Sequence, residues 1–201
     1  MTKKVSRVTI TVLLAMALVI CSGCELSTKV LIPVDPPEIV LEQFFSALKE
    51  NRYEACDSFL ADNATFVVTD STDYDFLGTL VDETVRHVSY EVTEEPRYQN
   101  LKATQTVRIM SLSGDDMTGW LKEHITQVEY DYMEKSGKNS IDPQNKEDVS
   151  NILSAAIEAY SENGQTITNT VTVHYVFSGN AWKIQVDSDF VTAVFGGVVD
   201  A

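Results

Sequence analysis

The chain has 201 residues, 44% hydrophobic and 22% charged, proportions of a folded globular domain that exclude an intrinsically disordered one. Thirty acidic side chains against fifteen basic ones give a formal charge of -15, which excludes a protein that holds phosphate backbones. Nucleic acid is therefore not an expected partner.

The first recognisable element is a targeting segment. Lys3, Lys4 and Arg7 form a basic stretch, and Val8 to Ile20 is apolar except for Thr9 and Thr11. Such a run falls short of the roughly 20 residues that span a bilayer and matches the apolar centre of an export signal. Cys21-Ser22-Gly23-Cys24 follows. Small residues directly before Cys24 resemble the lipobox read by lipoprotein signal peptidase, although Cys21 stands where leucine is usual. Cys21 is the poorer candidate for modification, because Ile20 would then occupy a small-residue position.

The expected organisation is a lipoprotein signal peptide over 1–23, a lipid-anchored Cys24, a tether over 24–35 and a single domain over 36–201. The alternatives, an uncleaved anchor or ordinary secretory cleavage, equally place the domain outside the cytoplasm. Cleavage removes three basic residues and no acid, so the charge falls to about -18. Attachment to the outer face of the cell membrane must then come from acyl chains rather than from attraction to anionic headgroups. Cys56 would be the remaining thiol, leaving no intramolecular disulfide. Its helical spacing with Tyr53, Phe59 and Leu60 reads as a buried small hydrophobe.

Beyond the tether, Asp35 reads as an N-cap, Pro36 as a first helical position and Glu38 as the far half of a capping box. Val40, Leu41, Phe44, Phe45 and Leu48 make one apolar stripe, so a helix is expected from about Pro36 to Glu50. A second, from about Arg52 to Ala61, would bury Tyr53, Cys56, Phe59 and Leu60. A short strand over Ala64 to Val68 and a helix from Tyr74 to about Val85 complete this half.

The period then changes to two. Val88, Tyr90 and Val92 alternate with polar residues, and past Glu94-Glu95-Pro96 so do Leu101, Ala103, Val107 and Ile109, which predicts a hairpin. A helix from Asp115 to about Lys135 carries Met117, Trp120, Leu121, His124, Ile125 and Val128 on one side. Asp142-Pro143 is read as the start of another, ending at Asn163-Gly164. Ile167, Val171, Val173, Tyr175 and Phe177 alternate with threonines, Ser178-Gly179-Asn180 turns the chain, and Trp182, Ile184 and Val186 return. Phe190, Val191, Val194 and Phe195 recur at helical spacing before Gly196-Gly197.

The stretches FFSALKENRYEACDSFLAD, HVSYEVTEEPRYQNLKATQTVRI and the closing SGNAWKIQ resemble the nuclear transport factor 2-like superfamily. The particular likeness is to uncharacterised Gram-positive lipoproteins with a cystatin-like cone. That resemblance implies an α+β fold in which a curved antiparallel sheet wraps the N-terminal helices as a cone. A helical pair would lie between the two hairpins and a short helix at the C-terminus. It also implies a cavity at the wide end, which the helical pair could roof, and sheet faces that pair into a homodimer.

The superfamily's isomerase-like enzymes place an Asp or His base and Tyr or Asp proton donors inside the cone. In this chain the inward strand positions are nearly all apolar. Their polar exceptions are Gln105 and Asn169, with Ser111 at a strand end, and neither amide is an acid or base. His87 and His174 alternate outward. His124 is the titratable group on an apolar helix face, read as a boundary histidine or, more sharply, as a pocket residue near Tyr175 or Trp182.

Asp70, Asp73 and Asp75 lack the glycine and terminal glutamate of a calcium loop, and Asp115-Asp116 and Asp187-Asp189 read as helix caps. No catalytic residue, metal ligand or cofactor is expected. The candidate pocket is Gln105, His124, Asn169, Tyr175 and Trp182. The expected function is a lipid-anchored extracytoplasmic binding or interaction module for a small molecule, a peptide or an envelope protein. An isomerase- or hydrolase-like enzyme, or a purely structural envelope domain whose cone is filled by its own side chains, is the alternative.

Overall fold

Thirteen residues of one apolar stripe form the first helix, α1 (Pro37–Lys49), in the computed structural model, which describes residues 35–67, 74–163 and 165–198, side chains of 74–77 excepted. Val40, Leu41, Phe44, Phe45 and Leu48 are all buried, each contributing about 1.5–3 kcal/mol through removal from water. The N-cap is Pro36 rather than Asp35, and no side chain caps the helix. A proline at the boundary sets the backbone there without a capping carboxylate. Helix α2 (Tyr53–Asp57) is shorter than the spacing suggested, and α3 (Tyr74–Arg86) ends within a residue of expectation.

The expected strand over Ala64 to Val68 does not form across 64–67, and Val68 lies outside the described residues. Asp57 Oδ1 takes the Phe66 N–H at 2.8 Å, a donor that a ladder would have needed. The Phe66 ring instead packs between Phe44 and Phe195, at 5.0 and 5.4 Å.

Five strands among the described residues form one curved antiparallel sheet: β1 (Ser89–Val92), β2 (Arg97–Gln99), β3 (Lys102–Leu112), β4 (Thr166–Ser178) and β5 (Ala181–Gln185). The order is β1-β3-β4-β5, with β2 also on β3. The first hairpin is thus split. Val92 faces Val107 and Arg97 faces Thr104, so residues 93–96 oppose only Gln105 and Thr106. Thr93 and Glu94 N–H both donate to the Thr106 carbonyl, at 3.1 and 3.4 Å, as expected of a bulge that bends the edge. Leu101, expected inside, is 62% exposed because it sits in the β2–β3 turn beside Asn100, whose φ is 56°.

Helices α4 (Gly114–Ser136) and α5 (Lys146–Glu162) pack together, and α5 also packs on α3. The start of α5 corrects the expectation at Asp142-Pro143. Asp142 instead closes a turn, its carboxylate accepting from Gln144 N–H at 2.9 Å, and Asn145 is the cap. Asp148, buried in the first turn of α5, is paired with Lys138. Tyr160 ties α5 to the Leu112–Thr166 end of the sheet, its hydroxyl donating to the Ser113 and Gln165 carbonyls at 3.2 Å each. The helical pair is therefore fastened at the sheet end opposite Tyr175. The last helix, α6 (Ser188–Phe195), is capped by Asp187 and packs on β3 and β4. No helix of the described residues is long and apolar enough to cross a membrane.

Candidate functional site

Alternation along β3 and β4 sends Ala103, Gln105, Val107 and Ile109, and opposite them Tyr175, Val173, Val171 and Asn169, to the face that meets α1 and α6. Most of the interior beneath is filled by rings. Phe44 packs on Phe45 and Phe190 at 5.6 and 5.7 Å, and Phe45 stacks on Tyr90 at 4.4 Å.

At the Tyr175 end, two polar groups are set into this apolar face. The Tyr175 hydroxyl donates to Gln105 Oε1 at 3.0 Å, both residues being 1% exposed. Gln105 Nε2 is buried and has no hydrogen-bond partner among the described residues. Gln105 lies opposite the bulge of residues 93–96, where the strand that would otherwise cover it bends away. From α1, Glu38 brings a second unpartnered buried atom, its Oε2. Burial, and then the Glu38 charge, push the Tyr175 hydroxyl far above the ordinary range, so it stays protonated and serves as a donor. Tyr98 is shifted upward by the same causes in the same order.

The rim of this site is aromatic. Tyr98, 57% exposed on β2, lies 5.7 Å from Trp182, which meets Phe177 edge-on at 5.4 Å. On the other face of the sheet a groove of about 560 Å³ is lined mainly by Arg97, Gln99, Lys102, Thr104, His174 and Gln185, and by neither Gln105 nor Glu38. With the Tyr175 proton already given to Gln105, the orphan Gln105 donor and the orphan Glu38 acceptor are the groups left to orient a small molecule that carries both a hydrogen-bond donor and an acceptor.

Of the five residues singled out from the sequence, the structure joins Gln105 to Tyr175 and sets Trp182 on the same face, opposite Phe177. Asn169 shares the face but lies six positions down β4, about 20 Å away along the strand. His124 is exposed on α4, its Nδ1 2.9 Å from the Trp120 carbonyl and its ring stacked on Trp120 at 4.4 Å. It belongs to the α4–α5 layer. His174 is exposed as expected, whereas His87 is half-buried with Nε2 3.7 Å from Glu158.

Glu38 and Tyr98 were missed, because Glu38 reads as a capping residue and Tyr98 falls in the stretch read as the bend between strands. Burial raises the Cys56 thiol to about 11, and its Sγ lies 3.8 Å from the Phe44 carbonyl, so it is unreactive. Asp70, Asp73 and the side chain of Asp75 lie outside the described residues, among which no cluster of three potential metal ligands occurs. No family model, curated protein or solved structure matches the chain.

Proposed function

We propose that the chain is a lipid-anchored extracytoplasmic binding module whose curved sheet forms a nuclear transport factor 2-like cone around α1. Its ligand is a small, partly apolar molecule bearing a hydroxyl or amide. The unpartnered Gln105 Nε2 carries this reading. A buried donor left without an acceptor costs about 1–3 kcal/mol, and folded proteins rarely retain one without a use. The ligand's acceptor meets Gln105 Nε2 and its donor meets Glu38 Oε2, while Tyr98 and Trp182 cover its apolar part. The N-terminal pattern ending at Cys24 supports the anchor, and the exposed, acidic surface needs no charge attraction to the membrane.

Native mass spectrometry of the protein taken from its own membranes tests this. A non-covalent companion is expected on the wild-type chain and not on folded Gln105→Leu. Bare masses for both, each that of its own chain alone, would favour a domain whose interior is merely filled by its own rings. A second reading, an isomerase-like enzyme, draws on one observation: Glu38 puts a carboxylate within electrostatic reach of Tyr175. It requires the companion to be chemically converted by the wild-type protein and left unchanged by Glu38→Gln.

A further inference from the structure

The two edges of the sheet are built differently. Along β1 and β2 the edge carries a bulge, Pro96 and the charges of Glu94, Glu95 and Arg97, devices that stop an edge from recruiting another strand. The opposite side of β4 has none of them. Strand β5 covers β4 only from His174 to Ser178, leaving 166–173 without a neighbouring strand on that side among the described residues. That stretch, Thr-Ile-Thr-Asn-Thr-Val-Thr-Val, is rich in β-branched residues and has no lysine, proline or bulge.

The direction of the backbone groups follows from one hydrogen bond. Phe177 N–H donates to the Leu101 carbonyl at 2.7 Å, so odd-numbered residues of β4 bond toward β3. Ser113 N–H donating to the Gln165 carbonyl at 3.2 Å continues the same register. Even-numbered residues bond the other way, which aims the N–H and C=O of Thr168, Thr170 and Thr172 at the open edge. A groove of about 440 Å³ lies along it, with Asn169 and Thr172 on one wall and Asp187, Asp189 and Thr192 on the other. No lysine or arginine lines this groove, and both aspartates are exposed.

We infer that this edge is a second binding surface, which takes an extended peptide strand carrying lysine or arginine from a partner protein. The peptide extends the sheet beside β4, its backbone paired with Thr168, Thr170 and Thr172. Its cationic side chains meet Asp187 and Asp189. A second copy of this chain fits less well, since it would bring the same aspartates and a net charge of -15 against each other. The surface is separate from the Tyr175 site, so its test does not depend on that reading.

The test is amide hydrogen exchange on the full chain with a short synthetic peptide of alternating lysine and valine. Protection of the Thr168, Thr170 and Thr172 amides is expected, with the odd-numbered β4 amides already slow in its absence. Asp189→Lys, a change at an exposed position that is not the cap, should weaken the peptide about fivefold and improve its glutamate–valine counterpart. Thr170→Pro removes an edge-facing N–H without touching the β3 ladder and should abolish binding in a chain that circular dichroism shows to be folded. Unchanged exchange at saturating peptide would overturn the inference. So would equal protection by the glutamate–valine peptide, or concentration-dependent protection by the chain alone.

Discussion

Gln105 and Tyr175, 70 positions apart in sequence, share a buried hydrogen bond of 3.0 Å that uses only half of the glutamine amide. Oε1 accepts from the phenol, while Nε2 faces the interior without an acceptor among the described residues. The pair is thus at once a structural tie and an unfinished one.

Tyr175→Phe should cost about 1–3 kcal/mol, because it strands Gln105 Oε1 as well as Nε2. Gln105→Leu alone strands the Tyr175 hydroxyl. Replacing both removes the unmet groups of the pair, leaving only Glu38 Oε2 among the described residues, so the double variant should be more stable than either single one. Urea unfolding of the four proteins at a common slope measures this, and strict additivity of the two losses would count against the pairing.

The C-cap glycine of α6 is a second point of leverage. Gly196 has φ 60°, and a Cβ there would stand 1.8 Å from the Leu112 carbonyl oxygen, so backbone must move. Gly137, the cap of α4, has φ 70° but open space around it. Gly137→Ala should therefore cost only about 1 kcal/mol, for the left-handed backbone. Gly196→Ala adds a clash with backbone and should lower the melting temperature several times as much in a thermal scan.

Tyr160 sets an alkaline limit. Burial, and then the Asp116 charge, raise its hydroxyl from 10.0 to about 12. With the folded value above the unfolded one, its contribution is fully present below pH 10 and is lost as pH rises from 10 toward 12. Tyr175 is raised too, so its contribution falls in the same direction. Stability measured by urea should decline across that window, and less steeply in Tyr160→Phe. An identical slope in the variant would show that Tyr160 ionises freely in the folded chain.

Much of this architecture is legible in the sequence because period follows burial. The stripe of α1 and the alternation of β3 and β4 are set by which side chains leave water. Element ends are less legible, since they depend on groups distant in sequence. Asp57 capturing Phe66 N–H erased one expected strand, and Asn145 rather than Asp142 began α5. Within the site, Gln105 and Tyr175 stood out as an amide and a phenol on an inward face. Glu38 did not, because nothing local distinguishes a first-turn acid on a helix surface from one whose oxygen is shut away beneath a sheet. His124 misled for the converse reason, since its apolar neighbours on α4 flank an exposed ring stacked on Trp120.

The central claim is that Gln105 Nε2 is completed by a ligand. Its side-chain amide resonances, followed by nuclear magnetic resonance in protein from its own membranes before and after extraction with organic solvent, test this most directly. The account predicts that both resonances shift on extraction and return when the extract is added back to wild-type protein, while the extract leaves the Glu38→Gln spectrum unrestored. Resonances unmoved by extraction would mean that the amide is completed within the protein or by water, and would contradict it.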